Sequence, residues 1–260
     1  MATALTVMAR LESLNLGFHS PRSRSDPASR PLPSPTRFVL PALTELTFKG
    51  SYEYLEDLLA RIDAPLLYHL HVIFFMDRDF DVPQLHWFIG HARQFKALNH
   101  HGQLFLFGPS IQLGLYPTGA VDHRRLMLEI DCEELDLQLS SLAQVCSSVP
   151  LISALEELEV FEIGLLSSFY AMEETRRWLE LLDTFTALKN LYLTDEIAQR
   201  VCKALQELSG EMATEVLPAL RNLFIDDSQS FKHIQRAIRP FVTARQLSGY
   251  PMVVSRWKIL

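Results

Sequence analysis

The sequence predicts an α/β fold: an irregular leucine-rich-repeat-like solenoid, or horseshoe, of about eight strand–helix units. Three observations predict it. A short leucine pattern recurs along the chain, the apolar period changes between copies, and no Gly-rich first turn of the doubly wound kind is present.

The pattern is an apolar residue, two others, Leu, one other, then an apolar residue. It occurs as Leu11-Leu14-Leu16, Leu43-Leu46-Phe48 and Leu67-Leu70-Val72. It returns as Leu155-Leu158-Val160, Leu188-Leu191-Leu193 and Leu220-Leu223-Ile225. Two weaker copies fill the gap, one around Leu104 and Leu106, the other at Leu126, Leu128 and Ile130. Leu98 precedes the first of these, but the insert NHHG spoils its spacing. Copies start roughly 24–33 residues apart, near the leucine-rich range.

Between the copies the period lengthens to that of a helix. Leu55, Leu58, Leu59 and Ile62 share one face, as do Leu85, Phe88, Ile89 and Ala92. The sets Leu135-Leu139-Leu142-Cys146, Trp178-Leu181-Leu182-Phe185, Ile197-Val201-Leu205-Leu208 and Phe231-Ile234-Ile238 follow the same rule. Asp81 before Pro83 predicts a helix cap, and Gly210 a helix end. Stacked strands with helices behind them would bury one continuous core.

A single domain over residues 1–260 is expected. Residues 19–38, rich in Pro, Ser and Arg, read as a flexible insertion. Arg22, Arg24, Arg30 and Arg37 make it the one locally basic stretch. A terminal capping strand is expected near residues 252–257, after the turn Ser248-Gly249-Tyr250-Pro251. The amino end offers only a partial helix before Leu11, as expected of a chain that has lost a preceding domain.

The net charge of −7 argues against a nucleic-acid or anionic-membrane binder. Cys132, Cys146 and Cys202 are odd in number and form no CxxC pair. Free thiols in a reducing compartment, cytoplasmic or nuclear, are expected. No apolar run approaches the roughly 18 residues of a membrane span.

Catalytic signatures are lacking: no GxSxG, HExxH, GxxxxGK[ST] or GxGxxG is present. No catalytic residue, metal or cofactor is therefore expected. Asp77, Asp79 and Asp81 alternate like the start of a calcium loop, but the required Gly is replaced by Val82 and the closing Glu by Phe88. The nine histidines, among them the pairs His86-His91 and His100-His101, form no spaced zinc set.

Binding is the expected role, because alternate strand residues face away from the core. They are Glu45, Thr47 and Lys49; His69, His71 and Ile73; Glu129 and Asp131; Glu157, Glu159 and Phe161; Asn190 and Tyr192; and Asn222, Phe224 and Asp226. Aromatic anchors among polar neighbours suit a protein partner, and the acids suit a basic one. An α/β hydrolase-like enzyme and a non-functional fragment are the alternatives.

Two long strings, LPALTELTFKGSYEYLEDLLARIDAPLLYHLHVIFF and FVTARQLSGYPMVVSRW, resemble the fungal F-box proteins. The carboxyl half of that family is a divergent leucine-rich-repeat-like solenoid. The resemblance implies the substrate-recognition part of a ubiquitin-ligase receptor, whose F-box docks a Skp-type adaptor of a cullin ligase. No F-box-like segment precedes the first repeat, where only MATALTVMAR stands, so adaptor and cullin binding are not expected of this chain.

Overall fold

In strand after strand, the second and fourth residues are apolar and the residues between them polar or aromatic. That alternation sorts the side chains onto two faces. In the computed structural model, the apolar positions are buried in the repeat strands after the first, and Leu14 and Leu16 of the first are partly buried against the same core. Leu46, Leu70, Leu158, Leu191 and Leu223 are 0% exposed, and they join the helix residues in one core cluster. The residues between them stay half-exposed. The structure describes residues 10–18, 37–75, 80–98, 100–117, 124–163, 173–208, 212–226 and 231–258. Residues 19–36, Asp77, Asp79 and Gly210 lie outside them.

The fold is mixed α/β, with a large, mostly parallel sheet and, among the described residues, eight α-helices. The strands are β1 (Ser13–Gly17), β2 (Phe38–Val39), β3 (Glu45–Gly50), β4 (Ile62–Asp63), β5 (His69–Phe75) and β6 (His101–Phe107). They continue as β7 (Ser110–Tyr116), β8 (Arg125–Asp131), β9 (Glu157–Ile163), β10 (Asn190–Leu193), β11 (Asn222–Asp226) and β12 (Val253–Trp257). Ten of them form one sheet in the order β1-β3-β5-β8-β7-β6-β9-β10-β11-β12, and β2 pairs with β4 separately. β12 falls where a terminal strand is expected and pairs parallel with β11.

The helices are α1 (Tyr52–Leu59), α2 (Pro83–His91), α3 (Leu135–Ser147), α4 (Pro150–Ser153), α5 (Glu173–Asp183), α6 (Asp195–Gln206), α7 (Met212–Glu215) and α8 (Phe231–Leu247). The larger ones pack side by side, α3 on α5, α5 on α6 and α6 on α8. α8 continues through Pro240 to Leu247, and Gly249 just past its end has a φ of 85°, which suits a residue without Cβ.

The repeat leucines stack in register. Leu14, Leu46, Leu70 and Leu126 pair across one half of the sheet, and Leu158, Leu191 and Leu223 across the other. Strand order follows chain order at both ends of the sheet but is reversed in the middle. β6 lies beside β9, β7 runs antiparallel between β6 and β8, and β8 closes against β5. Gly102 explains why the copy in β6 is blurred. It pairs with Leu158 in the leucine row, and a Cβ there would lie 2.9 Å from Leu155 Cδ1. Leu155 thus fills the space a repeat leucine would take.

Two expected details are corrected. Ile62 does not extend the first helix, which ends at Leu59; it lies in β4, paired with Phe38. Asp81 does not cap α2. The residue before that helix is Val82, with no side-chain cap. The open amides of its first turn are met from another helix instead. Glu56 of α1 accepts hydrogen bonds from the Gln84 and Leu85 amides at 2.7 and 2.9 Å. A carboxylate at a helix N-terminus gains from both the hydrogen bonds and the dipole. Glu56→Ala is expected to cost about 1–3 kcal/mol in urea unfolding, because two amides, that of Leu85 buried, lose their acceptor. Asp81→Ala is expected to stay within about 0.5 kcal/mol. The reverse ranking would restore Asp81 as the cap.

Candidate functional site: the open face of the sheet

Parallel sheets are usually covered on both faces and read as continuous apolar runs. This one alternates, and every strand of the repeat leaves its second face half-exposed or exposed. The in-register pairing sets those residues in rows that cross the sheet. One row runs Asn15, Thr47, His71, Met127, Gly114, Gln103, Glu159, Tyr192, Phe224, Ser255. Each of the sixteen stripe residues expected from the sequence lies in a strand at a half-exposed position.

The face divides into two chemical halves. Over β3, β5 and β8 it carries charge in both signs. Lys49 Nζ reaches Asp131 Oδ2 at 2.7 Å, and His71 Nε2 lies 3.3 Å from Glu129 Oε2. Burial holds the His69 imidazolium below its ordinary pKa, against the pull of Glu45 and with the push of Arg125 and His71.

Over β6 and β9–β12 the face is aromatic. Phe161 stacks on Phe105 at 5.2 Å, and Phe105 on Phe107 at 6.1 Å. Tyr192 stacks on Phe224 at 4.5 Å. Trp257 joins the two groups, meeting Tyr192 edge-on at 5.2 Å and Phe161 at 6.4 Å. Its indole N–H donates to the Leu193 carbonyl at 3.3 Å, which fixes the ring across β11. Such ring pairs add about 0.5–1.5 kcal/mol each beyond their burial.

A polar row borders the rings. Asn222 donates to Asn190 at 2.8 Å, Asn190 to Glu157 at 2.9 Å, and Gln103 to Glu159 at 2.8 Å. His101 lies 3.7 Å from Glu157 and 3.9 Å from Glu159. Neutral amides thus orient both carboxylates. Burial, then Glu157 and Glu159, push the Tyr192 phenol up, so it is un-ionised at neutral pH.

The reversed strand order builds this patch. In chain order, β8 would flank β9, and the same row would set Glu129 rather than Phe105 beside Phe161. The leucine spacing alone misses Gln103, Phe105, Phe107 and Trp257, because their copies are blurred or terminal. Applying the odd-even rule to QLFLF and VVSRW finds them. β7, with Gln112 and Tyr116, has no repeat signal; only the alternation in SIQLGLY marks it.

The other candidate groups lie elsewhere. Arg37, the described member of the basic stretch, is stacked 3.1 Å above the Trp87 ring and bonds Gln84 at 2.8 Å. Cys146 and Cys202 are buried and free; burial raises both thiols, Cys202 to about 12. Cys132 is half-buried, and burial raises its thiol too. Among the described residues, no group of three or more His, Cys, Asp or Glu side chains is placed to hold a metal ion. No helix among them is long and apolar enough to cross a membrane.

Comparison with family models, curated proteins and solved structures returned no match. The class that fold and face define is therefore structural: a mixed α/β protein whose mostly parallel sheet leaves one patterned face open.

Proposed function

We propose that this chain is a protein-recognition module, not an enzyme, and that it holds its partner against the open face of the ten-stranded sheet. The supporting observation is the continuous run of six half-exposed rings, Phe105, Phe107, Phe161, Tyr192, Phe224 and Trp257, beside oriented polar groups. Large contiguous apolar patches on soluble surfaces mark interaction sites, and aromatic anchors carry most of the energy at interfaces.

The aligned leucine rows support reading the fold as an irregular leucine-rich-repeat-like solenoid interrupted at β6–β8. The resemblance to fungal F-box proteins then makes the partner a ubiquitination substrate, with adaptor binding left to an F-box. Comparative affinity capture tests this reading. A protein captured by the chain should be lost with Phe161→Ala/Tyr192→Ala and kept with Arg176→Ala, on an exposed helix surface. Equal capture by both variants would refute the open face as the binding surface.

A further inference from the structure

The aromatic half of the open face has a charge imbalance that the other half lacks. Across β3, β5 and β8, the three acids Glu45, Glu129 and Asp131 are largely offset by Lys49 and Arg125. Across β6, β7 and β9–β12, the open-face positions carry Glu157, Glu159 and Asp226 but, among the described residues, neither lysine nor arginine. Arg256 of β12 instead sits 4.6 Å over the Phe231 ring at the start of α8.

We propose that this half selects a cationic, extended segment of the partner protein, with an arginine or lysine side chain lying on Phe161 and Tyr192 and its charge answered by Glu157 and Glu159. This rests on the open-face reading above. Three features favour it. Ring faces are electron-rich and attract cations, most strongly where water is partly excluded. The long stem of Arg or Lys covers apolar surface while its head stays polar. Glu159 and Tyr192 are direct neighbours in one row, and Glu157 and Asn190 in the next, so ring and carboxylates lie within one side chain's reach. The two carboxylates accept hydrogen bonds from Asn190 and Gln103, neutral groups that leave the negative charge in place, with the His101 ring 3.7 and 3.9 Å away. A phosphate-bearing partner would meet repulsion here, and an acidic peptide likewise.

The test uses short fluorescein-labelled Gly-Ser peptides bearing arginine, lysine, citrulline or glutamate at the same positions. They are titrated against the full chain by anisotropy, with Trp257 emission as a second signal. The arginine and lysine peptides should bind about tenfold or more tighter than citrulline, which keeps arginine's shape without its charge, and added salt should shrink the difference. Glu157→Gln/Glu159→Gln, which keeps size and amide contacts, should remove most of that preference while hardly changing citrulline binding. Glu129→Gln/Asp131→Asn, on the other half, should leave the preference intact. Circular dichroism would confirm that each variant is folded. Equal binding of arginine and citrulline peptides, binding by none of them, or equal loss with both carboxylate pairs would overturn the proposal. Such a result alongside partner capture that still depends on Phe161 and Tyr192 would overturn the cation preference alone. Capture independent of those rings would overturn the open-face reading itself.

Discussion

Replacing Arg245 by methionine is expected to destabilise the chain by about 3–5 kcal/mol in urea unfolding. Arg245 is 0% exposed, and its guanidinium donates to four backbone carbonyls: Ala213 at 3.0 Å, Leu217 at 3.2 Å, Pro218 at 3.3 Å and Leu220 at 3.1 Å. Burial lowers its pKa, yet a guanidinium starts high enough to stay charged. A buried ion pair can often be replaced by apolar residues on both sides. That escape is closed here, because the acceptors are main-chain groups that no substitution removes. The same contacts hold Leu217, which has a left-handed φ of 53°, a costly conformation for a residue with Cβ. The segment Ala213–Leu220 leads into β11, so Arg245 ties α8 to the strand that presents Phe224. Arg245→Lys should recover only part of the loss, since one ammonium cannot span four carbonyls. A change below about 1 kcal/mol for Arg245→Met would show that the carbonyls find other partners.

Trp178→Ala is expected to cost about 3–5 kcal/mol, the range for emptying a buried indole site. Trp178 is 0% exposed on α5, between α3 and α6, and its Nε1 donates to Glu174 at 3.2 Å. Arg200 of α6 meets the same carboxylate at 3.3 Å. Trp178→Phe keeps most of the volume but loses that donor. It should therefore cost about 1–2 kcal/mol, softened because Arg200 still satisfies Glu174. Equal costs for Ala and Phe would mean that the hydrogen bond, not the packing, carries the effect.

The fold was legible where the repeat is regular. The spacing of Leu46, Leu70, Leu158, Leu191 and Leu223 marks buried strand positions because a period of two forces alternate residues to one side. The same rule places Glu159, Tyr192 and Phe224 on the open face. The reversal of β6, β7 and β8 was not legible, because periodicity says which face a residue takes and nothing about which strand lies beside it. Phe105 beside Phe161 is a consequence of that neighbour choice. Gly102 hid its copy by lacking the leucine itself. Glu56 hid its capping role because its acceptors serve amides 28 and 29 residues away, beyond any local pattern. Trp257 was visible as the end of a strand but not as the ring that bridges Phe161 and Tyr192.

The most direct measurement for the open face as the binding surface is the yield of a captured partner with paired variants of matched stability. Phe161→Ala/Tyr192→Ala should lower that yield by about tenfold or more, as for central aromatic anchors, while Arg176→Ala leaves it unchanged. Undiminished capture by the ring variant, or equal loss from the helix-side variant, would contradict the account.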